Sequence, residues 1–225
     1  MWVMLGAMNP VKHLHLKAAS FCFAGMALAC LALLAVSGCG QHRDAEVGDQ
    51  RYQALGEVMA TKLNEMAGGK GRLVLVVAES ANNQSAAFGQ TVAAFRKALS
   101  KSLQISVTET AAMPVLLRPG AEPLPADKLA ALLQKYSDTD YLVSFVGVPV
   151  LTPAQISQLP SPRPQVVEVV AFDNPTKAMF AGKVLALAAV SKPGTQDAAV
   201  GGSVQEIFDA QYQLVTPDTA GLLVR

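Results

Sequence analysis

Histidine and cysteine are scarce in this sequence, and their positions exclude more than their number does. The histidines are His13, His15 and His42, and the cysteines are Cys22, Cys30 and Cys39. Nothing beyond residue 42 is either. The long remainder therefore lacks the commonest general base and metal ligand. Ser–His and Cys–His arrangements are unavailable to it, as are the usual zinc sites. No glycine-rich phosphate loop follows the first apolar strand, because "AESANNQSAAF" has no glycine before Gly89. Lysines and arginines are scattered singly and the formal net charge is +1, so there is no nucleic-acid footprint. Aromatics make up 6% of the chain, which suits an alanine-rich α/β core. No metal, cofactor or internal repeat is expected. Carboxylate-only catalysis remains, with Glu79 and Asp173 as the acids at strand ends, so an enzyme is the third reading, after a binding lobe and a scaffold.

What is present begins at the start of the chain. "KHLHLKAAS" is basic, "AASFCFAGMALACLALLAV" is an uncharged apolar stretch, and "VSGCG" follows it. A basic segment, an apolar core and small residues before a cut are the parts of a secretory signal. Val36-Ser37-Gly38-Cys39 resembles the lipobox of bacterial lipoproteins. That resemblance implies cleavage before Cys39 and acylation of Cys39, so residues 1–38 are expected to be a signal peptide. Gly40 stands where an aspartate retains many such proteins at the inner membrane, which favours outer-membrane sorting. The competing reading is an uncleaved anchor, since residues 18–36 approach the ~20 apolar residues of a spanning helix. Met8 offers an alternative start to Met1, with "MNPVKHLHLK" as the tidier basic region. Cleavage would remove Cys22 and Cys30, leaving no disulfide partner for Cys39. It would also remove Lys12 and Lys17 and no acid, taking +1 to −1.

Residues 39–49 read as a polar tether and residues 50–225 as one lobe. Tyr52, Leu55, Met59, Leu63 and Met66 fall on one helical face, with the methionines as core filler. "RLVLVVAE" reads as a strand buried on both faces. Ser85 can cap a second helix whose Phe88, Val92, Phe95 and Leu99 share a face. "QISVTET" is a second strand, and "MPVLLRPGAEPLP" is a proline-punctuated loop. A third helix carries Leu129, Leu132, Leu133 and Tyr136 and leads into "YLVSFVG". Thr152-Pro153 opens a short helix through about Leu159. "QVVEVVAF", "KVLALAAV" and "YQLVT" are further strands, with a short "VQEIFDA" segment before the last. Strands alternating with helices predict an α/β fold, a single Rossmann-like lobe with a mostly parallel sheet of five to six strands and helices on both faces.

Ligands of such sheets bind beyond the carboxyl ends of the strands. The run "ALGEVMATKLNEMAGGKGRLVLVVAESANNQSAAF" resembles the entrance to the second lobe of type I periplasmic sugar-binding proteins, and "AFDNPTKAMFAGKVLALAAVSKP" and "YQLVTPDTAGLL" extend the likeness. It implies that Asp173 matches an aspartate that hydrogen-bonds sugar hydroxyls. Several other family groups are absent: no arginine lies between Glu79 and Arg96, Gly147-Val148 replace an Asn-Asp pair, and Ser191 replaces a glutamine. The chain also has room for one lobe only.

Asn82, Asn83 and Gln84, with Asp173 and Asn174, are thus the candidate ligand residues. Turn and cap chemistry accounts for the same amides, and an Asx turn for Asp173-Asn174-Pro175. The expectation is a non-catalytic, periplasm-facing envelope lipoprotein held to the membrane through Cys39. It binds a small polar solute weakly, or an envelope protein or second copy through an apolar patch to which "VGVPVL" contributes. The alternative is a structural or assembly lipoprotein that uses the lobe as a scaffold.

Overall fold

The computed structural model describes residues 50–79, 86–111, 124–171, 177–192 and 202–222. The candidate residues Cys39, Asn82–Gln84, Asp173 and Asn174 lie outside the described residues, as does the cap expected at Ser85. Helix α1 spans residues 50–66. It is followed by β1 (Gly71–Ala78), α2 (Ala86–Ala98), β2 (Leu103–Ala111), α3 (Ala126–Lys135) and β3 (Tyr141–Ser144). Then come α4 (Pro153–Ser157), β4 (Gln165–Ala171), α5 (Lys177–Ala181), β5 (Leu185–Ser191), α6 (Val204–Gln211) and β6 (Tyr212–Val215), with a 3₁₀ turn at Ala220–Leu222.

The six strands form one sheet in the order β2-β1-β3-β4-β5-β6. All neighbours are parallel except β5 and β6. Alternation along each strand divides the core in two. On one face Val76, Leu142, Val166 and Ala188 pack with Leu129 and Leu133 of α3 and Met179 and Phe180 of α5. On the other, Leu75, Val143, Val167 and Leu187 pack with Leu55, Met59 and Leu63 of α1, Phe95 of α2 and Phe208 of α6. The expected α/β lobe with helices on both faces is the observed one.

Local chemistry explains the details. Leu55, Met59 and Leu63 are fully buried, while Tyr52 at the start of the same stripe is exposed. A side chain on Gly56 would collide with the Thr91 carbonyl and the Phe95 amide, so this glycine lets α1 and α2 approach closely. Helix α4 has the expected Thr152 cap and Pro153 at its first position, with Gln155 completing a capping box. It ends at Ser157, two residues before the expected limit at Leu159. In β1, Val74, Leu75 and Val76 are inaccessible and Val77 is half-buried. The strand is interior, flanked by β2 and β3.

Candidate functional site

The chain reverses its direction of travel across the sheet at β1: β2 is laid on one side of it and β3 on the other. Such a switch point opens a crevice outside the carboxyl ends of β1 and β3. β4 is the other neighbour of β3. The ends of β1 and β4 therefore stand about 10 Å apart, two inter-strand spacings.

The described floor of this crevice is the turn after β3. "YLVSFVG" leaves the sheet at Ser144 because the next residues close a tight turn. The Ser144 hydroxyl donates to the Gly147 carbonyl at 2.7 Å and accepts the Val146 N–H at 3.4 Å. Gly147 has φ +80°, which favours glycine. The Val148 N–H donates to Glu168 Oε1 at 2.8 Å. Glu168 is 2% exposed and Ser144 fully buried, and they are register partners across β3 and β4. A buried carboxylate is costly unless hydrogen-bonded. Here it ties the crevice floor to the neighbouring strand. Sequence reading named Glu79 and Asp173 as the strand-end acids and missed Glu168. Its signal was a single charge inside the otherwise apolar "QVVEVVAF".

Phe145 at the end of β3 is not a wall for a ligand. It is fully buried, edge-on to Phe95 at 5.3 Å between centroids and to Phe88 at 6.3 Å. Nor does "VGVPVL" contribute the apolar surface expected of it. Val146, Val148 and Leu151 pack into the core, and only Val150 is exposed, at 45%.

A second polar region lies on β1's other side. Glu109, two residues before the end of β2, accepts Lys135 Nζ at 2.6 Å and the Tyr136 hydroxyl, both on Oε1. The Lys135 hydrogen bond, with Tyr136 second, holds the Glu109 carboxyl below its ordinary range. In return the Glu109 carboxylate pushes Lys135 up to about 12. These groups border a cavity of about 380 Å³ between α3 and the ends of β1 and β2, also lined by Glu79 and Lys128. Among the described residues, no group of His, Cys, Asp and Glu is placed to hold a metal, and no helix is long and apolar enough to cross a membrane.

No protein-family model matches the chain, and no curated protein does. Solved structures do. AraP, an arabinose-binding protein from Geobacillus stearothermophilus, superposes with a TM-score of 0.52 at 10% identity, covering 77% of this chain and 63% of that one. A solute-binding protein of an ABC transporter from Burkholderia graminis, solved with D-arabinose, gives 0.52 at 11% identity, over 77% and 62%. A sugar-binding protein of a sugar ABC transporter from Bacillus halodurans gives 0.50 at 12%, over 77% and 64%. The fold is that of a solute-binding-protein lobe. The chain spans less than two-thirds of the length of each of these proteins.

Proposed function

We propose that this protein is a non-catalytic, lipid-anchored lipoprotein of the cell envelope whose lobe binds a small polar solute weakly at its carboxyl edge. The observation that carries this reading is the switch point. The strands leading to "SANNQ" and to "DNP" both end at the same edge, one strand apart. Asn82, Asn83 and Gln84 would supply amide donors and acceptors from one side, and Asp173 and Asn174 would supply acceptors from the other. The rigid turn held by Ser144 and Glu168 is the floor between them. An envelope protein or a second copy of the chain would serve as the other wall. A partner-binding role without solute is the second reading, but the burial of Val146, Val148 and Leu151 takes that segment out of the apolar patch it called for.

A single lobe leaves its ligand open to water, which weakens each hydrogen bond. Calorimetry of the purified protein against pentoses and hexoses should give affinity no better than about millimolar, roughly −4 kcal/mol. Asp173→Ala should abolish it. No heat with any sugar, or binding unchanged in Asp173→Ala, would reject the site. Micromolar binding by a monomer would instead establish a self-sufficient receptor.

The anchor rests on Cys39 and the small residues before it. Cells fed a lipid precursor should label the wild type and leave Cys39→Ser unlabelled. An unlabelled wild type would refute the lipid anchor and its membrane partner.

A further inference from the structure

The cavity between α3 and the ends of β1 and β2 has opposite charges on opposite walls. Lys128 and Lys135 lie on one stripe of α3, two turns or about 10 Å apart, with Leu132 between them. Glu79 and Glu109 line the facing wall, and Ala111 and Leu132 contribute apolar surface between the charges. The two ends differ. At one, Lys135 and Glu109 are already joined, at 2.6 Å. At the other, Lys128 is exposed and makes no hydrogen bond or ion pair among the described residues. Glu109 places both of its bonds on Oε1, and no described group reaches Oε2. An unengaged ammonium therefore faces carboxylate oxygens across an apolar strip, in a cavity of about 380 Å³. Small-ligand sites have this make-up, a mostly apolar lining with a few placed polar groups.

We infer that this trough is a binding site for a small zwitterion with an aliphatic body, the charge pattern of an aliphatic α-amino acid. The ligand carboxylate meets Lys128, its ammonium meets Oε2 of Glu109, and its side chain lies on Leu132 and Ala111. The Lys135–Glu109 pair closes the far end and keeps Glu109 ionised as an acceptor. This site is on the far side of β1 from the crevice at β3, so it stands or falls independently of the carboxyl-edge solute site.

The test is an amide-resolved NMR titration of the full chain in detergent with L-leucine, leucinamide and 4-methylpentanoate. L-leucine should shift the amides of Thr110, Ala131 and Leu132 and saturate on the millimolar scale. Each analogue lacks one charge and should bind about tenfold more weakly, the loss expected for one charge-assisted contact at a partly exposed site. Lys128→Met should weaken L-leucine by about the same factor and leave leucinamide unaffected, because it removes only the carboxylate contact. Lys128 is exposed, so Lys128→Met tests the carboxylate contact without disturbing the core. Absence of shifts at those amides, shifts confined to residues 145–152, or equal response to all three ligands would overturn the inference.

Discussion

Two glutamates stand in one row of the sheet and do different work. Register runs Glu109–Val76–Ser144–Glu168 from β2 to β4. Register partners project from the same face, so both carboxylates point to the α3/α5 side. Glu168 is 2% exposed and accepts a backbone N–H. Glu109 lies on the edge strand and pairs with an ammonium whose side chain is 60% exposed. In the interior, a carboxylate is retained when it is hydrogen-bonded, and removing it orphans the backbone donor. At the edge, solvent competes for both partners and screens the pair, so little stability depends on it. Position in the sheet, not residue type, decides which glutamate is structural and which is available to a ligand.

The sharpest way to break this comparison is to remove the buried acceptor. Glu168→Leu leaves the Val148 N–H without its partner, a cost of about 1–3 kcal/mol. Urea unfolding should show that loss as a lower midpoint with an unchanged slope. A neutral or stabilised Glu168→Leu would mean that the carboxylate is no latch and that the desolvation penalty dominates. Glu168→Gln is the milder step. An amide oxygen can still accept from Val148, so this variant should retain more than half of the stability that Glu168→Leu loses. If both variants lose equally, the charge matters and not the acceptor.

Most of the fold was legible because periodicity and burial agree. Leu55, Met59 and Leu63, the apolar run of β1 and the Thr152-Pro153 cap each follow from local chemistry that the tertiary structure leaves intact. The limits lay where long-range placement decides. "VGVPVL" reads as a sticky surface, but the Ser144 turn folds Val146, Val148 and Leu151 inward. Glu168 reads as one more strand residue until β3 is known to be its neighbour. The Glu109–Lys135 trough joins residues 26 positions apart, and no local pattern announces it. The candidate site itself was legible only as an edge. Topology puts the ends of β1 and β4 one strand apart, and the amides and Asp173 beyond them are assigned to a ligand by resemblance.

The smallest expected effect is at the edge, and its sign is fixed by the direction of the shift. Glu109 is held below its ordinary value of 4.5, chiefly by the Lys135 hydrogen bond. A carboxyl with a lowered folded-state value contributes stability above its unfolded value and loses it as pH falls through the folded one. The Lys135 ammonium stays charged throughout this range. Thermal melts of the wild type and Glu109→Gln should therefore differ most near pH 6 and converge as the pH drops below about 4. The gap at pH 6 should be smaller than that of Glu168→Leu and should shrink further in molar salt, because the Debye length falls to about 3 Å. A gap that persists at low pH would mean that Glu109 acts through packing or its neutral hydrogen bonds. A gap as large as the one at Glu168 would mean that the edge is not screened, and the two glutamates would then be the same kind of residue.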